Sequence, residues 1–155
     1  MKLINSTKID QKQLHDLIMW CMPSGLFKSD IKTITITNKY SHTWFTGTYR
    51  GGSKRIRLNI PAYVKLTKPR KIGGFRGYLE TIVYNWEEQL ILLIAHELRH
   101  AWQHKKGWKL PREIKKIRKH RMGTRAKLKE VDAQVYGIRK VRESRRDGAP
   151  VPVMG

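Results

Sequence analysis

Hydrophobic and polar positions change period along this chain, and each change marks an element. Between residues 8 and 22, Leu14, Leu17, Ile18 and Cys21 fall at helical spacing, and Pro23-Ser24-Gly25 ends the pattern, so a helix is predicted there. "IKTITITNK" then alternates, with Ile34 and Ile36 on one side and Thr33, Thr35 and Thr37 on the other, which predicts a strand. "HTWFTGTYR" and "KRIRLNI" predict two more, joined by the turn residues Gly51-Gly52-Ser53. From Pro61 to Gly77 the chain mixes Pro, Lys, Arg and Gly, and a long, mobile basic loop is expected. "GYLETIVY" reads as a fourth strand. Asn85 can cap a long helix, with Glu88 placed three residues later to reach back, and that helix should run to about Lys105 and end near Gly107. "PREIKKIRKHR" predicts a short basic helix, residues 124–143 a last helix, and residues 144–155 a flexible tail. No internal repeat is visible. The expected fold is a single α+β domain over residues 1–143: an N-terminal helix, a small, mostly antiparallel sheet of three or four strands, a long helix and a C-terminal helix.

Composition narrows the class. A chain of 155 residues is long enough for one core and short for two. The only cysteine, Cys21, excludes an internal disulfide and a CxxC zinc site and fits a reducing compartment. "MKLINSTKIDQK" carries no secretory signal, and the longest aliphatic run, Leu90 to Ala95, is too short to span a bilayer. A soluble intracellular protein, in the cytoplasm or nucleoid, is therefore expected.

Charge adds a partner. The formal net charge is +21, and between Lys105 and Lys129 twelve Lys or Arg face one acid, Glu113. A solvated helical face, an anionic membrane or an acidic protein would each account for such a run. The reading preferred is a polyanion, DNA or RNA, held by Lys105, Lys106, Lys109, Arg112, Lys115, Lys116, Arg118, Lys119 and Arg121. No base-reading module is present, so the binding should be directed at phosphates and indifferent to sequence.

Chemistry enters with "LLIAHELRHAWQ", residues 92–103. His96 and His100 are four apart deep inside the long predicted helix, so they share a face and can reach one metal ion. Glu97 lies about 100° round the helix from His96. There it misses direct ligation and can still take a proton from a water beside the metal. Two histidines satisfied in the core without metal are the alternative. A catalytic zinc needs a third protein ligand and an open position. His104, His120, Glu130 and Asp132 lie downstream. On the last helix Leu128, Val131, Val135 and Ile138 form an apolar arc, and Ala133, Gly137 and Val141 extend it with mostly small side chains. Glu130 falls between the two groups, where helices can approach closely, and Asp132 falls on the far side. Glu130 is the expected third ligand, with an ion pair to Lys127 or Lys129 as its alternative role.

His96-Glu97-Leu98-Arg99-His100 followed by Glu130-Val131-Asp132-Ala133-Gln134-Val135-Tyr136 resembles the zincin metallopeptidases of the minimal gluzincin kind, including the ImmA/IrrE-like proteins. The resemblance implies a zincin-like fold with Zn2+ held by His96, His100 and Glu130, and Glu97 as the base. The order of helix, strands and motif helix, with "IRLNIP" ahead of "HELRHAW", also resembles the SprT-like DNA-associated proteases. The third histidine of that family has no good counterpart here, since His120 is followed by Arg-Met-Gly. The function expected is zinc-dependent hydrolysis of peptide bonds in a protein or peptide near nucleic acid. Tyr136 or His104 would donate to the developing oxyanion, and "GYLETIVY" would lie at a sheet edge and hold substrate as an added strand. A protease whose basic surface recognises an acidic protein or a viral assembly, and a non-catalytic zinc protein that binds nucleic acid, are the alternatives.

Overall fold

The structure is a computed structural model that describes residues 1–38, 45–61, 69–73, 79–118 and 125–152. Alternation in the sequence becomes a four-stranded sheet. Its strands are β1 (Lys2–Asn5), β2 (Thr33–Thr37), β3 (Thr46–Arg50) and β4 (Arg55–Asn59), in the order β1-β2-β4-β3. Ile34, Ile36, Ile56 and Leu58 are buried on one face, and their neighbours Arg55 and Arg57 point to the other and are exposed. β1 pairs β2 and β2 pairs β4 in parallel, whereas β3 and β4 are antiparallel. The sheet is thus mixed, not mostly antiparallel as expected. Helix α1 (Gln11–Cys21) connects β1 to the parallel β2, a connection that a hairpin turn cannot make. β1 itself was not anticipated: four residues with a single alternation carry little pattern.

β5 (Arg70–Gly73) and β6 (Glu80–Val83) form a separate antiparallel hairpin. β5 thus gives order to part of the stretch expected to be loop. "GYLETIVY" supplies β6, outside the main sheet. The hairpin is fastened to the C-terminal helix α4 (Arg125–Asp147), because Arg142 donates to the Glu80 carbonyl and Arg145 to the Ile82 carbonyl and, at 3.0 Å, to Thr81 Oγ1.

Helix α2 (Trp86–Lys105) starts as expected: Asn85 Oδ1 accepts from the Glu88 amide at 2.9 Å. The Glu88 carboxylate reaches back to the Tyr84 amide, 2.9 Å, and also pairs with Arg145. The run Leu90 to Ala95 is buried throughout, because α2 lies between the sheet and α4. Its side chains join Leu14, Leu17 and Ile18 of α1 and the inner face of the sheet in one core. Helix α3 (Arg112–Arg118) packs on α4 through a smaller cluster of Leu110, Ile114, Leu128, Val131 and Val135. The chain does not leave the fold at Glu143: α4 continues to Asp147, and Ala149 and Val151 pack against the core. No helix among the described residues is long and apolar enough to cross a membrane.

Candidate metal centre

α2 and α4 lie against each other, and Gly137 marks how closely. A Cβ there would meet Leu92 Cδ1 at 2.8 Å and the Leu92 carbonyl oxygen at 3.2 Å. This proximity lets the short side chain of Glu130 span from α4 to the two histidines of α2. His96 Nε2 is 3.1 Å from Glu130 Oε2, His100 Nε2 is 2.9 Å from Glu130 Oε1, and the two Nε2 atoms are 3.1 Å apart. The three residues form a candidate metal site whose ligand atoms all lie within 4.8 Å of one another. The donor set suits zinc. Tetrahedral ligands about 2.0–2.1 Å from a zinc ion sit roughly 3.3 Å from each other, and the observed separations fall within a few tenths of an ångström of that.

Two glutamines orient the imidazoles. Gln103 is fully buried, and its Nε2 donates to the Lys129 carbonyl at 2.9 Å and to Asp132 Oδ2 at 2.8 Å. Both partners accept only, so the amide nitrogen must face them and Oε1 must face His100 Nδ1, 2.9 Å away. His100 therefore carries a proton on Nδ1; when neutral it turns the Nε2 lone pair toward the site, and when charged it donates from Nε2 to Glu130. Gln134 Oε1 stands 2.9 Å from His96 Nδ1 and fixes that ring in the same sense. Asp132 also takes a two-pronged ion pair from Arg99, with Nε at 2.8 Å and Nη2 at 3.1 Å. It is thus buried between the helices and braces the site through Gln103, where the helical wheel had turned it away.

The electrostatics follow from this packing. Hydrogen bonds from His100 and His96 hold the Glu130 carboxyl far below the usual carboxylate range, against the opposing effect of burial. Burial would push the His100 imidazole down, but its hydrogen bonds with Glu130 and Gln103, and the nearby carboxylates, outweigh that and leave it raised. Glu97 is buried, and burial pushes its carboxyl up, moderated by the two histidines and reinforced by Glu130. Among the described residues no group donates a hydrogen bond to it. A buried carboxylate without a donor, beside a cluster of ligands, is the pattern expected of a proton acceptor.

A cleft of about 430 Å³ opens over these groups. His96, Glu97 and His100 form one side, Gly47, Thr48 and Tyr49 of β3 a second, and Trp108, Lys129 and Glu130 a third. Gly47 is where β3 presses on the catalytic candidate: a Cβ there would stand 2.8 Å from Glu97 Cγ. Tyr136, the expected oxyanion donor, is not at the cleft. Its hydroxyl donates to the Cys21 carbonyl at 2.6 Å, which ties α4 to the end of α1. The tyrosine that does line the cleft is Tyr49, with its hydroxyl 2.9 Å from His104 Nδ1. β6, expected to hold substrate, does not line the cleft either; β3, an edge strand of the main sheet, does.

Of the basic residues singled out in the sequence, Lys106, Lys109, Arg112, Lys115 and Lys116 are exposed. Lys105 is taken up by Asp30 at 2.7 Å. Arg118 ends α3, and Lys119, His120 and Arg121 lie outside the described residues. Four residues of the site escaped the sequence reading: Gln103, Gln134, Tyr49 and Gly47. The glutamines carried a signal, since Gln103 follows His100 by three on one helix and Gln134 follows Glu130 by four on the other. Comparison of the chain with protein-family models, with curated proteins and with solved structures found no match.

Proposed function

We propose that this protein is a zinc-dependent metallopeptidase that cleaves a protein or peptide held beside β3 and works close to nucleic acid. The observation that carries the reading is the convergence of His96, His100 and Glu130, all within 4.8 Å, next to the buried carboxylate of Glu97. Three protein ligands beside an open cleft are the arrangement of a catalytic zinc, whereas a structural one is closed by four. A fourth protein ligand at this site would favour the purely structural alternative.

Zinc, when bound by His96, His100 and Glu130, supplies a Lewis acid for the scissile carbonyl and acidifies a water at the open position. Glu97 accepts the proton of the attacking water and passes it to the leaving amine. Its raised proton affinity suits a group that must both take and give a proton. Tyr49 replaces Tyr136 as donor to the developing oxyanion, and His104 holds its hydroxyl in place. An extended peptide can add to the edge of β3 through backbone hydrogen bonds. The nucleic-acid part of the proposal is supported by the net charge of +21 and by the exposed cations between Lys106 and Lys116.

Metal analysis and a casein-cleavage assay on wild type and Glu97→Gln test the reading together. Both proteins should bind one zinc per chain. The variant should lose about 10²–10⁴-fold in rate, because an amide cannot accept the proton. Wild-type protein that binds no divalent metal would sink the proposal, and an active Glu97→Gln would remove Glu97 as the base.

A further inference from the structure

The face of the sheet turned away from α1 and α2 is covered by no element among the described residues. Register places its side chains in rows across the strands. Lys2, Thr33, Arg55 and Arg50 make one row, and Ile4, Thr35, Arg57 and Thr48 the next. The rows line a shallow basin of about 700 Å³. Arg50, Arg55 and Arg57 are exposed, and none has an ion pair among the described residues. Arg50 and Arg55 stand directly opposite each other, an arrangement that costs stability between like charges. The sequence offers them no relief: from Ile31 to Leu79 there are eleven Lys or Arg and no Asp or Glu.

We propose that this basin binds a single strand of nucleic acid through its phosphates, with Arg50, Arg55 and Arg57 as the principal contacts. The inference rests on the nucleic-acid part of the functional reading and not on hydrolysis. Arginine is suited to phosphate because its planar fork donates two hydrogen bonds at once, and the threonine hydroxyls add donors. Arg55 and Arg57 are about 7 Å apart along β4, so one backbone can meet both. Four strands side by side give a face about 15 Å wide, wide enough for one strand and narrow for a duplex. An anionic membrane would be held by charge alone here, since Ile4 is the exposed apolar side chain this face offers for insertion, and the vesicle arm of the test separates it. An acidic protein would bring cations and apolar groups of its own, which nothing on this face is arranged to meet. A phosphodiester backbone is anionic along its whole length, as this face is cationic along its own. Thr48 lines both the basin and the metal cleft, so a strand lying in the basin would pass within one β-strand's width of the candidate catalytic groups.

The test is fluorescence anisotropy with labelled oligothymidylate, oligouridylate and a duplex, across a salt series. The proteins compared are wild type, Arg50→Gln/Arg55→Gln/Arg57→Gln, and Lys115→Gln/Lys116→Gln. Each lost phosphate contact should lower the slope of log affinity against log salt by about 0.7, so the triple variant should lose about 2 in slope and at least about tenfold in affinity at low salt. Zinc content and circular dichroism should be those of wild type. If the triple variant fails to fold, each single Gln variant should still lose about 0.7 in slope. An unchanged slope in the folded variants would overturn the proposal. Duplex bound as tightly as single strand with the same arginine dependence would overturn the single-strand assignment. Arginine-dependent binding of polyglutamate or anionic vesicles, without binding of oligonucleotide, would assign the face to another partner. Failure of the protease reading appears separately, as absent zinc or an active Glu97→Gln with oligonucleotide binding intact.

Discussion

Asp132 touches no ligand position, yet His100 depends on it through Gln103. Its carboxylate holds the amide of Gln103, and the amide decides which nitrogen of His100 carries the proton. Two variants on α4 should therefore behave differently. Glu130→Ala removes a ligand and should abolish tight zinc binding, and it costs the metal-free fold only its pairing with the two histidines. Asp132→Ala leaves the half-buried Arg99 without its carboxylate and Gln103 with only the Lys129 carbonyl, and should cost about 1–3 kcal/mol of stability and about 10–100-fold in zinc affinity. Zinc titration and chemical denaturation separate the two, and a stable Asp132→Ala with full zinc affinity would show that the brace is idle. A pH dependence follows from the same cluster. His100 is raised from 6.5, so in the metal-free protein it contributes stability below that value and loses it as pH rises through the folded value. Glu130 is lowered from 4.5, so its contribution is full above that value and fades as pH falls toward the folded one. Metal-free protein should thus melt highest in the window between these values, whereas zinc affinity should rise with pH as the protons leave. Melting curves of stripped and zinc-loaded protein should diverge above about pH 7; parallel curves would mean the cluster does not couple to the fold.

At the scale of elements, β3 borders the cleft where the sequence reading had put "GYLETIVY". Alternation could be read at both places, but which strand borders the motif helix depends on strand order, and a period of two carries no order. Pairing direction was hidden for the same reason, and β1 because four residues hold too little pattern. What could be read was the helix pair. The cap at Asn85, the motif at His96 and His100, and the small residues Ala133 and Gly137 on α4 placed Glu130 where the candidate metal site has it. Asp132 was misplaced because a wheel ranks residues by apolar neighbours and does not foresee a half-buried arginine as partner. Tyr136 was misplaced because the carbonyl it serves, that of Cys21, belongs to a helix 115 residues earlier in the chain. Gly47 yields the prediction at this scale. Gly47→Ala should push Glu97 aside, lowering kcat about 10²-fold with one zinc still bound. Wild-type kcat in that variant would show that the carboxylate has room to spare.

For the molecule as a whole, a bound ion would join two helices whose ligands lie 34 residues apart in the chain. Zinc should therefore raise the melting temperature in proportion to the logarithm of its free concentration, and a chelator should reverse the gain without unfolding a core that the ligands do not build. The separation of those helices is set by Gly137, two turns beyond Glu130, where the backbone of α2 stands in van der Waals contact. That glycine acts as a calliper. A methyl group inserted there wedges the helices apart and widens the gap the ligands must bridge, so Gly137→Ala should shift metal preference. Zinc, with bonds of about 2.0–2.1 Å, should lose affinity more than cadmium, a larger ion that also accepts imidazole and carboxylate ligands. Competition titration of the two ions would read the change. The choice of ion would then rest on a residue with no donor atom in its side chain, and with no side chain at all.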